Sequence, residues 1–546
     1  MNRYKIPTNI NKSDFMDPDT DFSQYRGSPT KASVILLGCL FISGAMNWVY
    51  QVVMGWLLPR AEYGRLGVSI AILNILLIAI SSIFPILVTK FISETSLTLA
   101  DQHRVMKTSL LGNIMIGIGV GLGLVLVFFY FFQSILVAYT PMIFLIWAIL
   151  LSFSVEFVFS GLLQGFFKFE NIAIAYLIEY VIKVVVAVFL VLLGGGAFYG
   201  LLGYLIGMVF GILYEIFILR RFKFWREKGW TNAHINRFVI PLFFGTFGAS
   251  ILMNIDLILL RLLLNSDQLA GEYQAVITLS RIPVYLLGTV GGAIFPYISY
   301  RTAQGGKPYE LIGKALKFSI LLALPIAVSF TLIPEGWLSA IYPNYISGAW
   351  VVRILAGGYF FLALVVILIS SFQALNKPKI PALVLPIVVI IDIIIIVILG
   401  SLFGMTGIAW GTTTSCLMGF VILLVIYRQC CPPSKTRPLF QKMLYLFRIG
   451  ICLLIYIFTT LFLPQPLQQG LIIDFIVMWI NYGGSMIIFC LMLAITSVVT
   501  AEELEEIFRT LSLKGRIPTF LQNFVLLIVR QANALFSLGW FKKKRN

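Results

Sequence analysis

Apolar runs of about twenty residues follow one another along the chain, separated by short polar segments. A helix needs about 20 such residues to cross about 30 Å of hydrocarbon. By that rule spans are predicted near 33–57, 66–91, 109–132, 142–163, 172–193 and 198–219. A basic stretch follows, then spans near 239–262, 273–298, 313–333, 350–373, 381–400 and 405–427. A second basic stretch precedes 447–463 and 475–498, for fourteen in all.

Composition agrees with lipid as the solvent. Of 546 residues 59% are hydrophobic and 12% charged, with mean hydropathy +0.95, whereas soluble domains carry roughly 25% charged residues. Each span must satisfy its backbone hydrogen bonds internally, so the expected fold is an all-α integral membrane protein. The polar first thirty residues lack a signal-peptide core and cleavage site, so the first span is expected to remain in the mature protein.

Charge orients the spans, because Lys and Arg favour cytoplasmic loops. With a cytoplasmic N-terminus, 34 of the 40 Lys and Arg fall on the cytoplasmic side. Arg60, Arg65 and Arg261 fall outside, and Lys183, Arg281 and Arg353 lie within spans. A miscounted helix would invert every later loop, so fourteen helices with both termini cytoplasmic are expected. The net charge of +17 follows from basic loops beside an anionic leaflet and implies no nucleic-acid partner. Cys39, Cys416, Cys430, Cys431, Cys452, Cys490, His103 and His234 show no metal-ligand spacing, so neither a metal nor a cofactor is expected.

The chain also repeats itself. Glu62-Tyr63 recurs as Glu272-Tyr273, Phe84-Pro85 as Phe295-Pro296, and Gln164 with Lys168 as Gln373 with Lys377. Gly203, Gly207 and Gly211 recur as Gly411, Ser415 and Gly419, and Arg220 as Arg428. The offset stays near 210 residues, so spans 1–6 and 7–12 form two repeats. Each has an even number of spans, which makes them parallel and relates them by a pseudo-twofold axis along the membrane normal. Two lobes around a central cavity result, with two extra helices. The expected divisions are a cytoplasmic segment 1–32, an N-lobe 33–222, a basic linker 223–238, a C-lobe 239–428, a basic loop 429–446, helices 13 and 14 over 447–498, and a tail 499–546. The glycine ladders, including Gly117, Gly119, Gly121 and Gly123, permit close helix approach.

Ionisable groups within a span cost at least about 2.5–3.5 kcal/mol each at its centre. The candidates are Glu156, Glu179, Lys183, Asp256, Arg281 and Asp392, with Arg353 near a span end where it can snorkel. Glu179 and Lys183 stand four apart and can pair on one face. Arg281 is the first candidate for an anionic substrate, since its planar fork suits phosphate; a pair with Asp256 or Glu156 is the alternative. Asp256, Glu156, Glu179 and Asp392 are candidates for ion coupling or for counter-ions. Lys183 and Asp392 place opposite charges at equivalent positions of the two repeats.

The stretch Phe247 to Asp256, then Gly271-Glu272-Tyr273, Arg281-Ile282-Pro283 and Phe295-Pro296-Tyr297-Ile298-Ser299 resembles the polysaccharide biosynthesis/export family. So does Gln373-Ala374-Leu375-Asn376-Lys377-Pro378, followed by Gly404-Met405-Thr406-Gly407-Ile408-Ala409. That family contains the Wzx-type lipid-linked oligosaccharide flippases of the MOP superfamily, and the resemblance covers residues 33–498. It implies two six-helix lobes working by alternating access on a sugar chain carried by undecaprenyl pyrophosphate, in the inner (cytoplasmic) membrane. It also implies a cavity lined by cations, for which Arg281 fits best, with Lys183 and Arg353 beside it. Polysaccharide polymerase machinery is a further candidate partner. The rival reading is a cation-coupled multidrug exporter of the same superfamily. An enzyme is not expected, because the external loops are short and hold few charges.

The tail departs from the family's compact pattern. Thr500 and Glu503 form a capping box, and the apolar stretch 518–540 ends in Lys542-Lys543-Lys544-Arg545. An interfacial helix bound to anionic lipid is expected there.

Overall fold

The computed structural model describes residues 29–93, 99–132, 137–166, 168–220, 239–288, 309–430, 439–463 and 471–503, with 291, 298, 302, 505, 523, 525–531 and 533 beyond them. The N-terminal segment before residue 29, the basic linker with His234, Phe295-Pro296, the loop 431–438 and Lys542 to Arg545 lie outside the described residues.

Among the described residues every regular element is helical. The N-terminal half comprises α1 (Pro29–Leu57), α2 (Arg60–Ser81), α3 (Phe84–Ser93), α4 (Leu99–Val127, continued by a π-helical turn Phe128–Phe132), α5 (Thr140–Gly165), α6 (Phe169–Leu192) and α7 (Ala197–Leu219). The second half comprises α8 (Val239–Leu264), α9 (Asp267–Ser280), α10 (Tyr309–Leu332), α11 (Pro334–Ile341), α12 (Ala349–Ala374), α13 (Lys379–Cys430), α14 (Leu439–Phe462) and α15 (Leu471–Ile495).

Among the described residues eleven helices are long and apolar enough to cross a membrane. One of them, α13, has 52 residues, about 78 Å at 1.5 Å per residue, too long for a single crossing. It folds back at Gly404, whose φ of 61° and ψ of −139° suit a residue without Cβ. Residues 400 and 396 then lie against 408 and 411, so two antiparallel spans result, as the sequence predicts. Counted with α1, and with α9 continued over 282–288, the described residues hold fourteen helical segments at the predicted span positions.

Two predicted spans are interrupted. The run 66–91 is α2 and α3, separated at Ser82 and Ile83. The run from 273 breaks at Arg281, and helix resumes over 282–288. A proline follows each break by two residues (Pro85, Pro283), and proline removes a donor and clashes with the preceding turn. Apolar periodicity alone does not register such breaks.

The packing follows the repeat. In the first half α6 packs on α1 and α7, and α5 on α4 and α7; in the second, α13 packs on α8 and α12, and α12 on α10. The halves meet chiefly where α2 lies against α9 and α8. Since α2 and α9 are the equivalent helices of the two repeats, their contact marks the pseudo-twofold axis. Helices α14 and α15 pair with each other and lean on α10 and α11.

The glycine ladders work by one face only. A Cβ on Gly117 would meet Ser154 Oγ at 2.2 Å and one on Gly121 would meet Trp147 Cδ1 at 1.8 Å, whereas Gly119 and Gly123 face open space. A spacing of four on one stripe is what close helix packing requires. At the C-terminal end the capping box is present: Thr500 N donates to Glu503 Oε2 and Glu503 N to Thr500 Oγ1, both at 3.3 Å. Glu503 also accepts from Lys317 Nζ at 2.7 Å, which ties the tail to α10.

Candidate functional site

Three groups of polar side chains stand out inside an otherwise apolar protein: a lysine cage with buried glutamates in the N-lobe, an arginine–aspartate cluster in the C-lobe, and a seal between the lobes.

Lys183 lies on α6 and is fully buried. Its Nζ donates to Asn47 Oδ1 at 3.1 Å and stands 4.0 Å from the ring centre of Tyr204, 4.2 Å from Tyr180 and 5.1 Å from Tyr50. Tyr204 Oη donates to the same Asn47 oxygen at 2.8 Å. An ammonium taken from water thus recovers part of its hydration from one carbonyl and three π faces. Glu179, one turn earlier, is buried within electrostatic reach of Glu156 on α5 and of Glu215 on α7. Ser160 Oγ donates to Glu215 Oε1 at 2.7 Å, and Gly207 lets α7 approach α6 until a Cβ there would be 2.5 Å from Glu179 O. Sequence reasoning missed Glu215, because it stands four residues before the end of its span and reads as the edge of a basic loop. The cage was missed too, since a search for charges passes over Asn47 and the tyrosines.

In the C-lobe, the break after Ser280 sets Arg281 against α8. Its Nε donates to Tyr359 Oη at 3.1 Å, Nη1 to Asn254 Oδ1 at 3.4 Å, and Nη2 to Met253 O. Asp256 Oδ1 is 4.0 Å from Nη2, so the pair with Asp256 that the sequence left open is formed, at the long end of ion-pair geometry. Asp256 in turn accepts from Tyr273 and Tyr359, each at 3.2 Å, and from Leu257 N at 2.9 Å. Met253 O and Leu257 N are the two ends of one helical rung, and each carries an extra partner. Asp392 is fully buried beside Ser415, yet neither its carboxylate oxygens nor that hydroxyl completes a hydrogen bond. Arg353 stands apart from both clusters: it pairs with Glu335 at 2.7 Å at an exposed helix end and lies over Trp350.

The lobes are sealed at one face. Arg65 on α2 donates to Asp267 Oδ2 at 2.9 Å and to Glu62 Oε1 at 2.6 Å. Asp267 Oδ1 accepts from Tyr139 at 3.0 Å and also from Arg261. Burial pushes the Asp267 carboxyl up, but the donors Arg65, Arg261 and Tyr139 outweigh it and hold the group below the usual aspartate value. Beneath this hub the chains touch at backbone level: a Cβ on Gly64 would lie 2.1 Å from Asp267 O, and one on Gly271 1.9 Å from Arg60 O. Tyr63 and Tyr342 share a hydrogen bond of 3.0 Å, Trp56 Nε1 donates to Ile341 O at 2.5 Å, and Arg60 donates to Asn344 O. Glu62 also accepts from Ala197 N at 2.7 Å, which satisfies the start of α7. The described contacts between the lobes run from this face down to Asn74 and Asn254.

The sequence model for the family described as polysaccharide biosynthesis protein matches residues 30–301, within a residue of half the chain. A probable low-salt glycan biosynthesis flippase, Agl15 of Haloferax volcanii, is 26% identical over 155 residues, 28% of this chain and 33% of that protein. In fold, the lipid II flippase MurJ in an inward closed conformation superposes with a TM-score of 0.59 at 17% identity, over 84% of this chain and all but 2% of the other (98% covered). A multidrug resistance MATE family transporter of the MOP superfamily, in its inward-facing conformation, superposes at 0.56 with 12% identity, over 74% of this chain and 100% of that one. The chain is therefore a multi-pass membrane protein with the fold of the MOP superfamily transporters, and its residues 30–301 match the polysaccharide biosynthesis protein family.

Proposed function

We propose that the chain is a flippase that moves an oligosaccharide on undecaprenyl pyrophosphate across the cytoplasmic membrane by alternating access, for surface polysaccharide biosynthesis. The observation that carries this reading is the buried guanidinium of Arg281, set at a helix break where the two lobes meet. Its shorter bonds go to neutral acceptors, which a doubly charged pyrophosphate outcompetes, while Asp256 at 4.0 Å balances the charge when no substrate is bound. The family match and the flippases among the similar proteins support the cargo class.

The charge bias of the loops assigns the sealed face to the outside and both termini to the cytoplasm. The conformation is then closed outward, ready to receive a head group from the cytoplasm while its lipid tail stays in the bilayer. Lys183, held by its cage, contributes positive potential from the N-lobe; the tail after Thr500 rests on anionic lipid, and polymerase machinery acts downstream.

The test is reconstitution with fluorescent lipid-linked oligosaccharide. Arg281→Ala is expected to abolish flipping with normal folding, and Arg281→Lys to retain part of it. Full activity in Arg281→Ala would refute the anion assignment. A cation-coupled drug exporter, the reading compatible with the MATE fold likeness, would instead give drug resistance in a pump-deficient host and no glycan phenotype on deletion.

A further inference from the structure

Among the described residues, the hydrogen bonds of the C-lobe cluster reach the N-lobe through Asn254 Oδ1. Asn254 Oδ1 accepts from Arg281 Nη1 at 3.4 Å and from Asn74 Nδ2 on α2 at 3.5 Å. A guanidinium only donates, so the amide oxygen of Asn254 must face it. The amide nitrogen is engaged by Ser250 O at 2.8 Å, which fixes the side chain in that orientation. Ser250 Oγ reaches the same N-lobe residue directly, donating to Asn74 O at 3.1 Å. Asn254 is buried, and both bonds to its oxygen are long against the usual 2.9–3.0 Å. Two donors, one of them charged, are drawing on a single acceptor, and neither reaches its best distance.

From this geometry we infer that Asn254 is the shared acceptor through which anion capture by Arg281 is passed to the N-lobe. The inference rests on the flippase reading above and adds the coupling step to it. When a pyrophosphate draws the guanidinium away, the oxygen of Asn254 is released to Asn74 alone. The Asn74 bond then shortens towards its ordinary length, and α2 is pulled onto α8 at the level of the substrate. Binding at one lobe thus closes the other lobe around it. Removal of the substrate returns the guanidinium to the oxygen and loosens the junction. Asn74 is a positioning residue in this scheme: it touches neither Arg281 nor the substrate, and it acts only through Asn254. Ser250 supplies an ordinary contact between the same two helices and serves as the internal control.

The experiment places spin labels at the exposed positions Arg220 and Lys377, one on each lobe at the face opposite the seal, in full-length protein in nanodiscs. Undecaprenyl pyrophosphate is the probe, with undecaprenol as the uncharged control. In the otherwise unsubstituted protein the pyrophosphate is expected to raise the ratio of closed to open distances about tenfold, and undecaprenol to leave it unchanged. Asn74→Leu and Asn74→Ala, one filling and one emptying the position, are expected to cut that shift below twofold. Because coupling is reciprocal, their apparent affinity for the pyrophosphate falls by no more than the same tenfold. Ser250→Ala is expected to keep the shift. If both Asn74 variants move as far as the parent, the relay is overturned and the flippase reading stands. If the parent binds no pyrophosphate, the flippase reading falls and the relay with it.

Discussion

Asp267 holds the seal, and its removal has a calculable effect. Of its three donors, Arg65 and Tyr139 belong to the N-lobe and Arg261 to its own lobe. Only the first two are broken when the lobes part, so only they bias the equilibrium between sealed and open states. A hydrogen bond to a charged group contributes about 1.5–3 kcal/mol, but Arg65 is nearly a third exposed and screening places its share at the low end. Asp267→Ala is therefore expected to shift the equilibrium by about 2–3 kcal/mol towards the open state, roughly 30–150-fold. The backbone contact at Gly64 and Gly271 and the bonds of Tyr63, Trp56 and Arg60 survive, so the seal weakens without being lost.

Spin labels at the exposed Val137 and Trp350, across the sealed face, read this as growth of a longer distance. Arg261→Ala breaks the bond to Asp267 that is present in both states, together with a weak contact 5.9 Å from the Tyr139 ring across the lobes, and should change the distribution less. Equal effects of the two substitutions would refute the reasoning. The sign with pH follows from the lowered carboxyl of Asp267. A depressed carboxylate supports the sealed state fully above its free value, about 3.9, and loses that support only as pH falls through the still lower sealed-state value. The seal should be unchanged between pH 8 and 5 and weaken only below about pH 4.

Three further outcomes are expected. Gly271→Leu inserts carbon where Arg60 O now stands, so it should exclude the sealed state, which the same label pair reads as loss of the short distance. Gly404→Val forces a β-branched side chain into φ 61°. It should cost about 1–3 kcal/mol, seen as a lower midpoint of thermal unfolding with the flipping rate per folded molecule retained. Asp392→Asn replaces a buried carboxyl that has no hydrogen-bond partner by a neutral group of the same shape. It should raise thermal stability by about 1–3 kcal/mol; a fall in stability would mean that the ionised group is paired in the membrane.

The spans, the repeat and the capping box at Thr500 were legible because each rests on local information: run length, offset and a four-residue pattern. The glycine stripe was legible as a tendency, and only packing shows that Gly117 and Gly121 face α5 while Gly119 and Gly123 do not. Breaks within runs were not legible, since Ser82 and Arg281 disturb the chain without ending its apolar character. Partnerships were the least legible part. Glu179 and Lys183 have the spacing of a helical ion pair, yet Lys183 donates to Asn47, 136 residues away. The seal pairs positions about 200 residues apart, as in Arg65 with Asp267, and these distances in sequence carry no periodic signal.

The opposite charges at equivalent repeat positions now have a physical setting. Lys183 lies against Gly207, and Asp392 lies beside Ser415, so the repeat holds down to the neighbouring helix. What differs is the surroundings: three tyrosine rings and an amide oxygen receive the ammonium, whereas the carboxylate has a hydroxyl that it does not engage. The ammonium recovers part of its solvation from protein, whereas the carboxylate at the equivalent position completes no hydrogen bond. Among the described residues, unpartnered buried carboxyl oxygens occur in both lobes, at Glu156 and Glu215 in the N-lobe and at Asp392 in the C-lobe, and only the C-lobe sets its charges at a helix break, that of Arg281. A conformational change that begins there needs only to exchange partners already present within hydrogen-bond reach, which is how a buried cation can release its neighbours without an intermediate in which it stands alone in the membrane.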